Sequence, residues 1–136
     1  MVEQHLITLP PFKRGVYLIT PYINEIDFKI KNGILNLFLM HTSASLAINE
    51  NYDPSVRRDI ETFLKTLIPD CWEGFTHILE GCDDMSAHMK NIFIGSSLTL
   101  PIKDGSLYLG VWQGIYLLEH REGPHKRKIF LSAIGE

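Results

Sequence analysis

The sequence predicts one α+β domain over residues 1–136, with a mainly antiparallel β-sheet and two or three helices. Three features carry that prediction. After Asp53-Pro54, the residues Val56, Ile60, Phe63, Leu64 and Leu67 recur at intervals of three and four, the period of a helix with one apolar face. Asp104-Gly105 stands between two strand-like segments, and it is a strong hairpin signal because both central residues of a type I′ turn need positive φ. From Gly95 onward the pattern is of strands.

Taken in order, Val2 to Leu9 and Gly15 to Thr20 read as strands and are expected to be neighbours. Pro10-Pro11 between them forbids a continuous ladder, since proline has no N–H to donate. Thr20-Pro21 opens a helix in which Tyr22, Ile23, Ile26 and Ile30 share a buried face until Gly33 ends it. Ile34 to Met40 is almost wholly apolar, as in a strand covered on both faces, and it delivers His41 to its end. Asp53 is an N-cap with Pro54 in the first turn, and Arg57, Arg58, Glu61 and Lys65 fall on the expected solvent side. A further helix should run from Asp83 or Asp84 to Ile94, with Met85, Met89, Ile92 and Phe93 toward the core and Gly95 ending it. Ser97 to Lys103, Ser106 to Gly110, Val111 to Glu119 and Lys128 to Ile134 complete the sheet, with a loop from His120 to Arg127.

At 45% hydrophobic and 21% charged, the chain can bury a core without staples. A net charge of -3 gives no electrostatic reason to expect nucleic acid or an anionic membrane as a partner. No apolar run approaches the ~18 residues of a membrane span, and no signal peptide opens the sequence. Cys71 and Cys82 fit neither CxxC nor a zinc-ribbon spacing, so they read as reduced thiols in a cytoplasmic protein.

The densest chemistry lies in HILEGCDDMSAH, residues 77–88. Neutral imidazoles and carboxylates in one short segment can hold a divalent cation. His41, His77 and His88 stand at strand or helix ends where side chains can converge, and three imidazoles would leave a zinc one open position. The other reading of each is a hydrogen-bonded structural histidine, as for His5 and His125. Capping accounts for one of Asp83 and Asp84, while the second can orient an imidazole or bind Mg²⁺ through oxygen. Asp84 and His88, four apart, share a helix face. Asn49 and Glu50 read as turn residues or, for Glu50, as a general base folded over the metal. Ser43, Ser45 and the Gly95-Ser96-Ser97 run are either loop formers or phosphate donors. Gln113 and Trp112 sit between Gly110 and Gly114, where a ligand can approach the backbone. Arg121 to Lys128 is basic, which reads as a solvated strand start or a phosphate patch.

In order along the chain, HTSASLAINENYDPSVRRDIE, HILEGCDDMSAH, GSSLTLPI, DGSLYLGVWQGIYLLEHR and the closing Arg127-Lys128 strand resemble the YjbQ family of secondary thiamine-phosphate synthase-like proteins. The resemblance covers His41 to Glu136, whereas the first forty residues match mainly in length and strand pattern. Ser86 departs from an expected proline, and Cys82 occupies a variable position. The resemblance implies an α+β fold assembled as a homotrimer, with zinc or a similar cation at His41, His77 and His88. It also implies that a hydroxymethylpyrimidine diphosphate is joined to thiazole phosphate, releasing pyrophosphate. Charge accumulates on the leaving oxygens, so the reaction calls for a cation, Mg²⁺ included, and for donors. On that reading Glu50, Asp84 and Gln113 are catalytic, and Ser43, Asn49, Ser97, Arg121 and Arg127 hold the phosphate-bearing substrate. Two alternatives stay open: a metal-dependent phosphate-ester hydrolase with Glu50 as base, and a noncatalytic trimer that binds a metal or anion.

Overall fold

The computed structural model describes residues 1–136. Its elements in chain order are β1 (Val2–Thr8), β2 (Gly15–Leu18), α1 (Thr20–Asn24), β3 (Gly33–Leu39), β4 (Ala44–Glu50) and α2 (Pro54–Leu67). They continue with α3 (Asp84–Ile94), β5 (Ser97–Lys103), β6 (Ser106–Leu107), β7 (Gln113–Glu119) and β8 (Lys128–Gly135). The strands form a five-stranded sheet in the order β1-β8-β3-β5-β6 and a three-stranded sheet in the order β2-β7-β4. Every pairing is antiparallel, so the chain is the α+β, mainly antiparallel fold with three helices that the sequence predicts.

One apolar core draws on both sheets. Leu35, Leu37 and Leu39 of β3, with Ile129, Leu131 and Ala133 of β8, meet Leu46 of β4 and Ile115 and Leu117 of β7. Alternate residues point to opposite faces of a strand, and β3 obeys this strictly. Its Ile34 and Phe38 are exposed, so the strand is covered on one face rather than the expected two.

Three further expectations change. β1 and β2 are not neighbours: β1 pairs with β8 and β2 with β7. The chain crosses between the sheets after Pro10-Pro11, where Phe12 bridges to His125. The helix opened by Thr20-Pro21 ends at Asn24 instead of running toward Gly33. Beyond it, the backbone amides of Lys29 and Ile30 donate to the Glu3 carboxylate at 2.8 and 3.0 Å, which fixes this segment outside a helix while Phe28 and Ile30 are buried. Ser45, Asn49 and Glu50, read as loop or turn residues, lie in β4 and pair with β7. The hairpin is as expected, with Asp104 at φ 52° and Gly105 at φ 83°.

Both longer helices are placed as predicted, but each turns part of its expected apolar face outward. In α2, Val56, Ile60 and Leu64 stay half-buried and Arg58 and Lys65 exposed, as expected. No residue of α2 is buried, and Phe63 and Leu67 are 65% and 60% exposed. Glu61, expected in solvent, turns in toward the side on which α2 meets β2, with one carboxylate oxygen buried. In α3 the buried residues are Asp84, Ser86, Ala87 and Lys90, while Ile92 and Phe93 are 71% and 72% exposed. The layer beneath these helices is therefore polar. It contains Ser45 of β4, Glu119 of β7, His120, Arg127 and Lys90, all buried. Periodicity identifies a helix's apolar stripe but carries no information on which side the sheet lies.

Candidate functional site

Asp84 is the centre of the site. It lies in the first turn of α3, is 2% exposed, and its carboxylate meets two imidazoles and a guanidinium. Its Oδ2 faces His77 Nε2 at 2.7 Å and His88 Nε2 at 3.1 Å, and its Oδ1 accepts from the Arg121 guanidinium at 2.7 Å. His88 stands one turn along the same helix. His77 comes from the loop before α3, and the two imidazole centroids are 5.5 Å apart.

Hydrogen-bond logic makes this trio a candidate site for a second proton or a cation. His88 Nδ1 lies 2.8 Å from the Thr42 carbonyl oxygen, which can only accept, so Nδ1 carries the proton. In neutral imidazole Nε2 is then a lone-pair acceptor, yet it faces a carboxylate oxygen that is also an acceptor. Two acceptors face each other stably only with a second proton or a cation between them. The ligand atoms of His77, Asp84 and His88 lie within 4.8 Å of one another, as metal ligation requires. Two imidazoles and a carboxylate, with one imidazole oriented by a backbone carbonyl, are a donor set suited to zinc.

Electrostatics keep the carboxylate ionised. Burial alone would raise the Asp84 carboxyl, but the His77 hydrogen bond and the His88 and Arg121 charges outweigh it and hold it below the ordinary carboxylate range. Asp83 is lowered likewise: burial is outweighed by the Glu122 backbone amide and Arg121. Asp83 makes no side-chain cap to α3. Its Oδ2 instead accepts from Arg121 Nε at 3.1 Å and the Glu122 amide at 2.8 Å. Arg121 also donates to the Glu80 carbonyl at 3.0 Å, so it clamps the loop to the helix. The phosphate-gripping role expected of Arg121 meets a guanidinium already engaged by two carboxylates.

The remaining candidates lie elsewhere. His41 is not in the cluster: its Nε2 accepts from the Lys128 amide at 2.8 Å, and burial together with Arg127 lowers its basicity. Arg127 is buried in a paired contact with Glu119, at 2.6 Å for both of its donors, and it also donates to Ser43 Oγ at 2.9 Å. Arg127 and Ser43 thus serve a buried ion pair instead of facing a substrate. Glu50 and Gln113 pair at the far end of β4 and β7 from Ala44 and Glu119. Six residues of strand, about 20 Å at 3.3 Å per residue, separate that end from the one beside Thr42 and His88. Asn49 accepts from the Glu50 amide and Gln113 from the Gly110 amide, each at 2.7 Å. Ser97 sits on the outer face of the larger sheet and accepts from Asn36 at 2.9 Å.

The cysteines depart from the sequence reading. Cys71 and Cys82 are joined as a disulfide, with Cα atoms 4.6 Å apart and no free cysteine left. Their eleven-residue separation gives no hint of this, because what brings them together is tertiary. Asp70 accepts from Arg14 at 2.8 Å and from Ser86, and Asp83 is held by Arg121. Other contacts that sequence reasoning missed are the Thr42 carbonyl and the buried Ser45–His120 pair, 2.9 Å apart. Neither has a spacing signal.

Comparison with known proteins agrees with this geometry at the level of fold and family. The family model described as UPF0047 protein YjbQ-like matches residues 5–136. A UPF0047 protein YjbQ of Salmonella typhimurium is 48% identical over 143 residues, covering 100% of both chains. A UPF0047 protein of Methanocaldococcus jannaschii is 48% identical over 120 residues, 87% of this chain and 83% of that one. Among solved structures, a YbjQ-like protein of unknown function from Sulfolobus solfataricus superposes with a TM-score of 0.88 at 28% identity, covering 100% of this chain and 99% of that one. A YjbQ/UPF0047 protein of Clostridium acetobutylicum gives 0.85 at 34% identity, with 96% and 99% covered.

Proposed function

This chain belongs to the UPF0047 YjbQ-like family, and on that premise we propose that it is a metal-dependent enzyme of the thiamine-phosphate synthase type. It would join a hydroxymethylpyrimidine diphosphate to thiazole phosphate and release pyrophosphate. The observation that carries the reading is the convergence of His77 Nε2 and His88 Nε2 on one oxygen of Asp84. Those three residues would hold zinc, or Mg²⁺ with a diphosphate substrate, and leave coordination open, which favours turnover over a purely structural ion. Bound there, the cation counters the negative charge that builds on the departing pyrophosphate. The chain's own residues set the geometry. Arg121 keeps Asp84 ionised and in place, and Thr42 holds His88 with Nε2 turned inward.

Self-association as a homotrimer is part of the same proposal. The outward apolar faces of α2 and α3, with Phe63, Leu67, Ile92 and Phe93 exposed, form the kind of surface that a second copy covers. Glu50 and Gln113 reach the histidines only from a neighbouring subunit, so the hydrolase alternative with Glu50 as base depends on that assembly.

The test is kcat/KM for thiamine phosphate formation with metal and after chelation, in the wild type and in Asp84→Asn. A chelator-sensitive value at or above ~10⁴ M⁻¹s⁻¹, falling by about a hundredfold or more in the variant, is expected. A rate orders of magnitude lower and indifferent to chelator would reject the reading.

A further inference from the structure

We propose that Cys71 and Cys82 form a thiol–disulfide exchange site, and that its redox state decides whether His77 is held beside Asp84 and His88. The inference rests on reading those three residues as a metal site. Asp84 and His88 are spaced by one turn of α3, so the helix sets their geometry. His77 belongs to the loop from Cys71 to Cys82, which contains no helix or strand, and its imidazole has one polar tie, to Asp84. The disulfide closes that loop at its base, reinforced by the Cys71 amide donating to the Cys82 carbonyl at 3.1 Å.

Three observations make this closure a latch on the loop alone. The stems on either side are anchored without sulfur, Asp70 by Arg14 and Ser86 and Asp83 by Arg121 and the Glu122 amide. Cys71 sits at φ 54°, in the left-handed region that non-glycine residues adopt at a cost, so the closed ring holds a conformation the open chain would leave. Both cysteines are exposed and share a recess of about 340 Å³ with Trp72, Phe75, His77 and Met85, which gives a reagent access to the sulfurs beside the histidine.

The partner is a dithiol reductant, a small molecule or a protein bearing two neighbouring thiols. Exchange transfers two electrons and two protons: the Cys71–Cys82 bond breaks to two thiols while a disulfide forms in the reductant. An opened ring of this size gains conformational freedom worth up to about a hundredfold in the loop's opening equilibrium. A ligand that needs His77 in place then binds more weakly by the lost fraction of competent loop, about tenfold or more.

The experiment uses the full chain in three forms: oxidised, reduced with a phosphine, and Cys71→Ser/Cys82→Ser. Thiol alkylation followed by mass measurement counts free cysteines, hydrogen exchange reports residues 72–81 against α3, and a chromophoric competitor reports the Zn²⁺ Kd. No free thiol before reduction and two after are expected. Loop exchange should rise at least tenfold with α3 unchanged, and Zn²⁺ should bind at least tenfold more weakly to the reduced and double-serine proteins. His77→Ala should bind Zn²⁺ equally in both redox states. Free thiols in protein equilibrated with oxidised glutathione, or equal loop exchange and equal Zn²⁺ affinity in all three forms, would overturn the latch and leave the metal reading standing. Redox-dependent loop exchange with no Zn²⁺ bound by any form would overturn the metal reading and uphold the latch on the loop.

Discussion

Acidification from pH 7 to pH 5 should destabilise this fold through His120. The imidazole is fully buried, with Nε2 2.9 Å from Ser45 Oγ and Nδ1 buried without a partner. Burial, with the nearby charges of Lys90, Arg127 and Arg14, pushes its pKa from an ordinary 6.5 down to about 3. Between those values the unfolded chain binds a proton that the folded chain refuses, so stability rises with pH across the window and falls on acidification. The stabilisation is complete above pH 6.5 and shrinks by about 1.36 kcal/mol for each unit below it. At pH 5, 1.5 units down, the loss is about 2 kcal/mol. Urea unfolding of the wild type and of His120→Gln at both pH values, at one protein concentration, isolates it. Asp84, Glu61 and His41 titrate in both proteins and cancel in the comparison. The wild type should lose about 2 kcal/mol more than the variant. An equal pH dependence in the two proteins would mean that His120 takes up a proton without cost in the fold, and the account of a closed polar layer would fail.

Two other perturbations follow from the same layer and from the helices above it. Glu119→Gln leaves the Arg127 guanidinium buried opposite a neutral group, and it should cost about 3–5 kcal/mol in urea unfolding; a loss below about 1 kcal/mol would mean that water reaches the pair. Phe63→Glu with Leu67→Glu places charges on the outward face of α2. For the homotrimer proposed above, sedimentation should show a shift to monomer with the far-ultraviolet circular dichroism unchanged, and an unaltered sedimentation coefficient would remove α2 from the proposed interface.

Much of the fold was legible before the structure. The Asp53 cap, the three-and-four spacing after it and the Asp104-Gly105 turn are local devices, and local devices survive in any tertiary setting. The Asp53 carboxylate does accept from the Ser55 amide, at 2.9 Å. Where a tertiary partner competes with local preference, local spacing misleads. The segment after Asn24 has helical spacing, yet two backbone amides bind the Glu3 carboxylate from another strand. The site was legible in the same uneven way. Asp84 and His88 are one helical turn apart, so their convergence could be stated from spacing. His77 and Arg121 reach Asp84 through loops, and no spacing encodes where a loop returns.

What the sequence determined by itself is whatever depends on neighbours within about seven residues: where helices start, where the hairpin turns, and that one helix face carries both a carboxylate and an imidazole. The tertiary structure decided orientation and pairing. It turned Glu61 of α2 and Asp84, Ser86 and Lys90 of α3 inward, gave Arg127 to Glu119, kept His41 out of the cluster and brought Cys71 to Cys82. The physical reason is one of range. A helical stripe or a turn is set by backbone geometry over one or two turns of chain. Which face is buried, and which charge finds which, is settled by the summed free energy of groups that only folding brings together.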